Sequence, residues 1–197
     1  MATMDVAALR RAFRTLNRFM LLMWRLGLGR FLAGSRVGYV MVLATTGRRS
    51  GLRRLAPLNF AADDGTVYCL AGFGRKTHWL LNLEADPACE VWLPDGRRLA
   101  GRGERVTDET ERIALVRRLL VRAGIATDLA EPGLDPMGDP DEAIAALGES
   151  YGARYEAVRI TTGAPVTGPG GPGDLTWVWP VAGAVLGVLL LLRRRRG

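Results

Sequence analysis

The sequence predicts a small antiparallel β-barrel with helical additions, a mainly-β member of the α+β class. Three observations carry this. Six short apolar runs fall at 37–45, 54–62, 66–71, 88–93, 97–106 and 155–161. Tight turns join three neighbouring pairs of them: Gly47–Gly51, Asp63-Asp64-Gly65 and Pro94-Asp95-Gly96. Helical periodicity is confined to a few stretches, so strands must supply most of the core.

In chain order, residues 5–32 read as a helix. Leu9, Phe13, Leu16, Met20, Met23 and Gly27 recur three or four apart, while Arg10, Arg11, Arg14, Arg18 and Arg25 cover much of the opposite side. A large apolar face with charge of one sign suits the plane of an anionic bilayer as well as a protein core. Strands 37–45 and 54–62 flank the first turn, and 66–71 follows the second. Gly72–Thr77 is a flexible basic loop, and His78–Leu83 a short helix. After strands 88–93 and 97–106, Thr107 or Asp108 caps a helix running to about Ala123. Glu109 and Glu111 lie in its first turn and Gly124 stops it. Residues 131–141 read as an irregular loop and 141–148 as a short helix. Tyr155–Thr161 closes the barrel.

The 197 residues carry a net charge of +7, unevenly placed. Residues 1–36 hold seven Arg against Asp5, and 193–196 are four Arg; the stretch between holds 16 basic and 19 acidic residues. The globular part is therefore net acidic and lacks an aromatic-basic platform, which argues against nucleic acid. Basic ends flanking apolar segments point to a membrane surface instead. Four segments follow: 1–34, a basic amphipathic helix; 35–162, the barrel; 163–174, a Gly/Pro linker; and 175–197, an apolar helix with a basic tail. Leu175–Leu192 has 18 residues without a charge. At 1.5 Å per residue they extend about 27 Å, close to the ~30 Å of a hydrocarbon layer. Trp177 and Trp179 would mark one interface and Arg193–Arg196 the other, giving a single C-terminal transmembrane span. The four Arg favour a cytosolic C-terminus, which conflicts with a cytosolic barrel. The stretch after Arg10-Arg11-Ala12-Phe13 does not make an export signal, so the expectation adopted is a barrel on the cytoplasmic face. Cys69 and Cys89 have no CxxC neighbour and there is one His, so spacing assembles no metal site. Both cysteines are expected to be buried and reduced.

The chemistry concentrates in Thr45-Thr46-Gly47-Arg48-Arg49-Ser50-Gly51, with Arg54 and Pro57 just beyond. Backbone N–H groups beside glycines approach anions closely, and Arg forks match phosphate or carboxylate oxygens. A solvated basic hairpin is the competing reading. This segment resembles, together with the Gly72–His78 loop and Trp79-Leu80-Leu81-Asn82-Leu83 followed by Asp86-Pro87, the deazaflavin (coenzyme F420)-dependent nitroreductase family. Those oxidoreductases share a split β-barrel related to flavin reductases. The resemblance spans residues 37–110. It implies that Thr46, Gly47, Arg48, Arg49 and Ser50 hold the coenzyme's phosphate and acidic tail. Arg54 would add charge, and Pro57 would shape the strand near the ring system. Gly72, Thr77 and either Arg75 or Lys76 would contribute from the second loop, with Trp79 and Asn82 on the helix packed against the cofactor-binding loop. The loop before Trp79 is shorter than in the nitroreductases, and their tyrosine-rich substrate segments have no counterpart, so nitro-reduction does not carry over.

The residues agree with such a coenzyme: a phosphodiester and a glutamate tail need clustered cations, and two adjoining basic bends provide them. Hydride chemistry belongs to the cofactor, so no side-chain nucleophile is required. His78 either delivers a proton, binds a coenzyme oxygen, or is structural; Trp79 is a core aromatic or a stacking platform. The expected function is an F420-dependent oxidoreductase passing hydride to a lipophilic acceptor, a quinone or activated alkene. Its expected partners are membrane lipid and, as the resemblance implies, a second copy of the chain. The rival readings are an FMN- or haem-binding split barrel, and a membrane-tethered module that holds the coenzyme without turnover.

Overall fold

A computed structural model describes residues 6–32, 38–123 and 155–194. Six strands, β1 (Val40–Thr46), β2 (Arg53–Asp63), β3 (Thr66–Ala71), β4 (Ala88–Trp92), β5 (Arg98–Arg105) and β6 (Glu156–Pro165), close into a barrel in the order β1-β2-β3-β6-β5-β4. Every neighbouring pair is antiparallel. The expected strands are all present, and the topology is that of a split-barrel α+β fold. Alternation decides what faces inward: Met41, Leu43, Val91, Leu93, Val158 and Ile160 fill the interior. Val42 and Trp92, paired across β1 and β4, point outward.

Among the described residues four helices decorate the barrel: α1 (Val6–Arg25), α2 (His78–Ala85), α3 (Glu109–Ala123) and α4 (Val178–Arg194). Helix α2 plugs one opening, sending Trp79, Leu80 and Leu83 into the barrel core. Helix α3 is capped as expected, with Asp108 Oδ1 accepting from Glu111 N at 2.7 Å. Its Leu115, Val116, Leu119 and Leu120 cover the outside of β2, β3 and β6.

Helix α1 is shorter than expected. Gly27 adopts φ +79, its N–H donates to Trp24 O, and Leu28 N donates to Met23 O. That pair of bonds is a Schellman stop, which a left-handed glycine permits. A short 3-10 turn, Gly29–Leu32, follows. Trp24 and Leu21 pack on Val42, Trp92 and Leu55, so one stripe of α1 does face the barrel.

The C-terminal region departs most from expectation. Residues 163–165 extend β6, and 166–177 are bends and turns fixed to the barrel rather than a free linker. Arg98 Nη1 donates to Gly168 O and Pro169 O (3.2 and 3.3 Å), and Arg53 Nη1 donates to Gly170 O. Both arginines are ion-paired to Glu90, Arg98 at 2.7 Å. The Arg53 guanidinium also lies over the Trp92 ring, 5.2 Å from its centroid. The expected transmembrane span is corrected. Residues 175–177 are turn, the helix is the 17-residue α4, and among the described residues no helix is long and apolar enough to cross a membrane. The expected stop at Gly124, the loop at 131–141 and the helix at 141–148 lie outside the described residues.

Burial pushes the Glu90 carboxyl upward, but hydrogen bonds from Arg98 and the charges of Arg53 and Arg98 outweigh it and hold the group below its usual value of 4.5. A depressed carboxylate stabilises the fold above the unfolded-state value, and that contribution disappears as pH falls through the folded one. Glu90→Gln is therefore expected to lower Tm at pH 7 by about 3–6 °C. The gap from the parent protein should narrow in melting curves as the pH falls below 4.5 and close once the folded-state carboxyl is protonated.

Candidate functional site

The site begins at the β1–β2 turn. Gly47 N donates to Leu52 O (2.8 Å), and Ser50 N and Gly51 N both donate to Gly47 O (3.0 and 2.8 Å). Ser50 Oγ accepts from Leu52 N and from Arg54 Nη2 (3.3 and 3.2 Å). A Cβ on Gly47 would lie 2.8 Å from Ser50 Oγ and 3.0 Å from Leu52 O, so only glycine fits this bend. The turn's own carbonyls and hydroxyl thus consume most of the N–H groups that the sequence offered to an anion.

Asn82 joins the turn to α2. Its amide is buried; Nδ2 donates to Thr45 Oγ1 (3.1 Å), while Oδ1 accepts from Arg48 N (3.2 Å) and Arg48 Nη1 (3.1 Å). Arg48 also reaches the carbonyl of His78, the first residue of α2. Thr45 is equally buried, and nothing in its sequence context marked it as a partner.

The second basic segment leads into α2. Thr77 donates to Gly74 O through both its backbone N–H and Oγ1, forming the bend that precedes the helix. Arg75 Nε pairs with Glu156 at 2.9 Å. Glu156 is buried at the start of β6 and also takes Arg105 Nη1 at 3.3 Å. This carboxylate, 81 residues away from Arg75, had no sequence signal.

The expected residues therefore divide into three groups. Arg49, Ser50, Arg54, Gly72, Lys76 and His78 are exposed on the turn, the loop and the start of α2, and Thr46 is exposed where β1 enters the turn. Arg49 and Lys76 have no side-chain partner among the described residues. Gly47, Arg48, Asn82 and Thr77 hold the bends in shape. Trp79 is buried in the barrel core, and Pro57 is buried within β2, so neither forms part of the surface rim. Pro57 sits where β2 pairs with β1 but not yet with β3, an edge on which a missing N–H costs no ladder bond. Arg53 points away to Glu90, as strand alternation requires. The segments 45–54 and 72–82 together carry six cations and no carboxylate, and Asn82 and the Arg48–His78 contact bring them side by side.

The cysteines take no part. Both are free and buried. Burial, with the charges of Asp86 and Glu90, pushes the Cys89 thiol up to about 12, and complete burial with Cys89 nearby pushes Cys69 higher still.

The closed six-stranded antiparallel barrel thus carries at one end two abutting bends with six cations and no carboxylate. The family model for F420H(2)-dependent quinone reductase matches residues 25–125, just over half of the chain. The chain belongs to that family and is an F420-dependent oxidoreductase using coenzyme F420 and a small-molecule acceptor. Among solved structures, an F420 reductase is 24% identical, over 67% of this chain and 91% of its own, with a TM-score of 0.41. A conserved hypothetical protein from Mycobacterium tuberculosis is 21% identical over 73% and 90%, TM-score 0.43. A FAD-binding protein from Mesorhizobium loti is 21% identical over 64% and 83%, TM-score 0.43. Likenesses this distant carry no argument about function.

Two outcomes are expected. Asn82→Ala should destabilise the fold by about 2–3 kcal/mol, since it strands Thr45 and Arg48 and leaves a hole, and should speed hydrogen exchange of the 47–51 amides. Thiol alkylation at pH 8 should leave both cysteines unmodified in the native protein and modify both in denaturant, as thiols held this far above the solution pH are protonated as well as inaccessible.

Proposed function

We propose that the chain reduces a lipophilic acceptor, a quinone or an activated alkene, and that Arg49, Arg54 and Lys76 bind the phosphate and glutamate tail of its coenzyme. The observation that carries the coenzyme site is the pair of abutting bends with six cations and no carboxylate, two of whose cations have no partner among the described residues. A cationic side chain without a protein carboxylate is free to pair with an anion, and F420 supplies several. The donor set fits the coenzyme: Arg forks for phosphate and carboxylate oxygens, one ammonium, and the Ser50 hydroxyl already oriented by Arg54. Arg48 takes a different part from the one expected for it. With its guanidinium and backbone N–H on Asn82, it fixes the turn rather than the coenzyme. Arg75, paired to Glu156, anchors the second bend, which leaves Lys76 as the basic ligand there.

When bound, reduced F420 supplies a hydride. The chain's own residues hold the coenzyme by its charged tail, orient it against the end of the barrel, and leave the exposed His78 imidazole beside it. Reducing a quinone to its quinol takes one hydride and one proton. His78, the single histidine, is exposed at this rim and is the proposed donor of that proton. The choice of acceptor follows the family's description as quinone reductases.

Fluorescence titration with F420 tests the tail site. Arg49→Ala and Lys76→Ala should each raise Kd about tenfold, and Arg75→Ala less than about threefold. Unchanged affinity in the Arg49→Ala, Lys76→Ala double variant would remove the site from these bends. Reduction of a short-chain naphthoquinone by F420H2 tests the acceptor; failure against quinones and enones alike would sink that half of the proposal while leaving the coenzyme site standing.

A further inference from the structure

Helix α4 is apolar and almost bare. Every residue from Trp179 to Leu186 is exposed, and Val185, Leu186 and Leu189 each leave more than half their surface uncovered. Helix α1 shows the same property on one stripe: Leu16, Phe19 and Leu22 are exposed, while Leu21 and Trp24 turn to the barrel. Burying one such side chain is worth about 1.5–3 kcal/mol, so a patch of this extent calls for cover.

The two helices are built as one unit. The turn before α4 caps the C-terminus of α1: Gly173 N donates to Trp24 O (3.0 Å) and Leu175 N to Arg25 O (2.8 Å). Trp179 Nε1 donates to Leu26 O (3.0 Å). Asp174 closes the join with a two-pronged contact from Arg25, Nε to Oδ1 at 3.0 Å and Nη2 to Oδ2 at 3.0 Å. A Cβ on Gly27 would lie 2.8 Å from Thr176 Cγ2 and 4.0 Å from Gly173 Cα.

Charge identifies the occupant. Neither α1 nor α4 contains an acidic residue. Arg11, Arg14 and Arg18 line the exposed flank of α1, and Arg193 lies exposed near the end of α4. A second copy of the chain seated on this face would bring rows of like charge together. An anionic bilayer offers acyl chains to the aliphatic residues, an interface to Trp177 and Trp179, and negative headgroups to the arginines. Seventeen residues reach about 25 Å, short of the ~30 Å hydrocarbon layer, and the clasp holds the first turn of α4 against α1. We infer that α1 and α4 form a single docking face that lies in the plane of an anionic lipid bilayer.

The full-length protein is to be floated with phosphatidylcholine vesicles and with vesicles containing 30% phosphatidylglycerol. Binding should favour the anionic vesicles and weaken in 0.5 M salt. Leu186→Glu with Leu189→Glu should reduce binding about tenfold or more, with Tm and F420 affinity unchanged because both positions are exposed. Arg11→Glu, Arg14→Glu and Arg18→Glu together should abolish the preference for phosphatidylglycerol. Brominated lipids should quench tryptophan most when the bromine sits near the headgroups. Equal binding to both vesicles, no effect of the double leucine variant, or strongest quenching at the bilayer centre would overturn the inference. So would a dimer in light scattering that buries α4 and leaves the protein off vesicles.

Discussion

The amide of Asn82 is the point on which the cationic end of this barrel turns. It is buried between a strand, a turn and a helix, and one side chain makes a hydrogen bond to each of the first two: Nδ2 to Thr45 on β1 and Oδ1 to Arg48 in the turn. An unpaired amide there would cost about 1–3 kcal/mol, so its partners are held to one arrangement. The consequence is that Arg48 is tied to α2, which fixes the curvature of residues 47–51 and leaves Arg49 and Arg54 at the rim. A turn whose backbone is held beforehand would present these cations to an anionic ligand without the cost of ordering the loop on binding.

Carboxylates are distributed to the same end. Glu156 engages Arg75 and Arg105, and Glu90 engages Arg53 and Arg98, so the acids near the barrel rim each neutralise arginines with a structural task. What remains unneutralised at the rim is positive. A net acidic middle segment and a locally cationic site are thus compatible, because the sign of the site is decided by which pairs form rather than by composition.

Much of this was legible from local pattern. The six strands announced themselves by alternation and by Asp-Gly and Gly-framed turns, and the contact between the β1–β2 turn and α2 by the one resemblance that groups Arg48, Arg49, Arg54 and Asn82. Long-range pairing was not legible. Nothing near Arg75 points to Glu156, and nothing near Arg98 points to the carbonyls of Gly168 and Pro169, so the ion pair of a candidate coenzyme ligand and the anchoring of the Gly/Pro segment emerge only in the fold. The stop of α1 at Gly27 was missed because its apolar spacing runs on to Leu28, whereas the left-handed backbone at Gly27 depends on the residues that pack there. Periodicity also could not tell which apolar stripe of α1 meets the barrel, since Trp24 and Phe19 look alike by composition and differ only in what lies opposite.

The clasp between the two ends of the chain has a practical corollary. An apolar C-terminal helix invites removal by anyone seeking a better-behaved sample. A cut at residue 172 would take with it the N–H groups of Gly173 and Leu175 and the carboxylate of Asp174, leaving Trp24 O with the Gly27 N–H alone, Arg25 O without its donor and the Arg25 guanidinium without its counter-ion. A shortened chain that keeps residues through Trp179 retains all of those partners, so the place of the cut decides whether the N-terminal helix stays seated on the barrel.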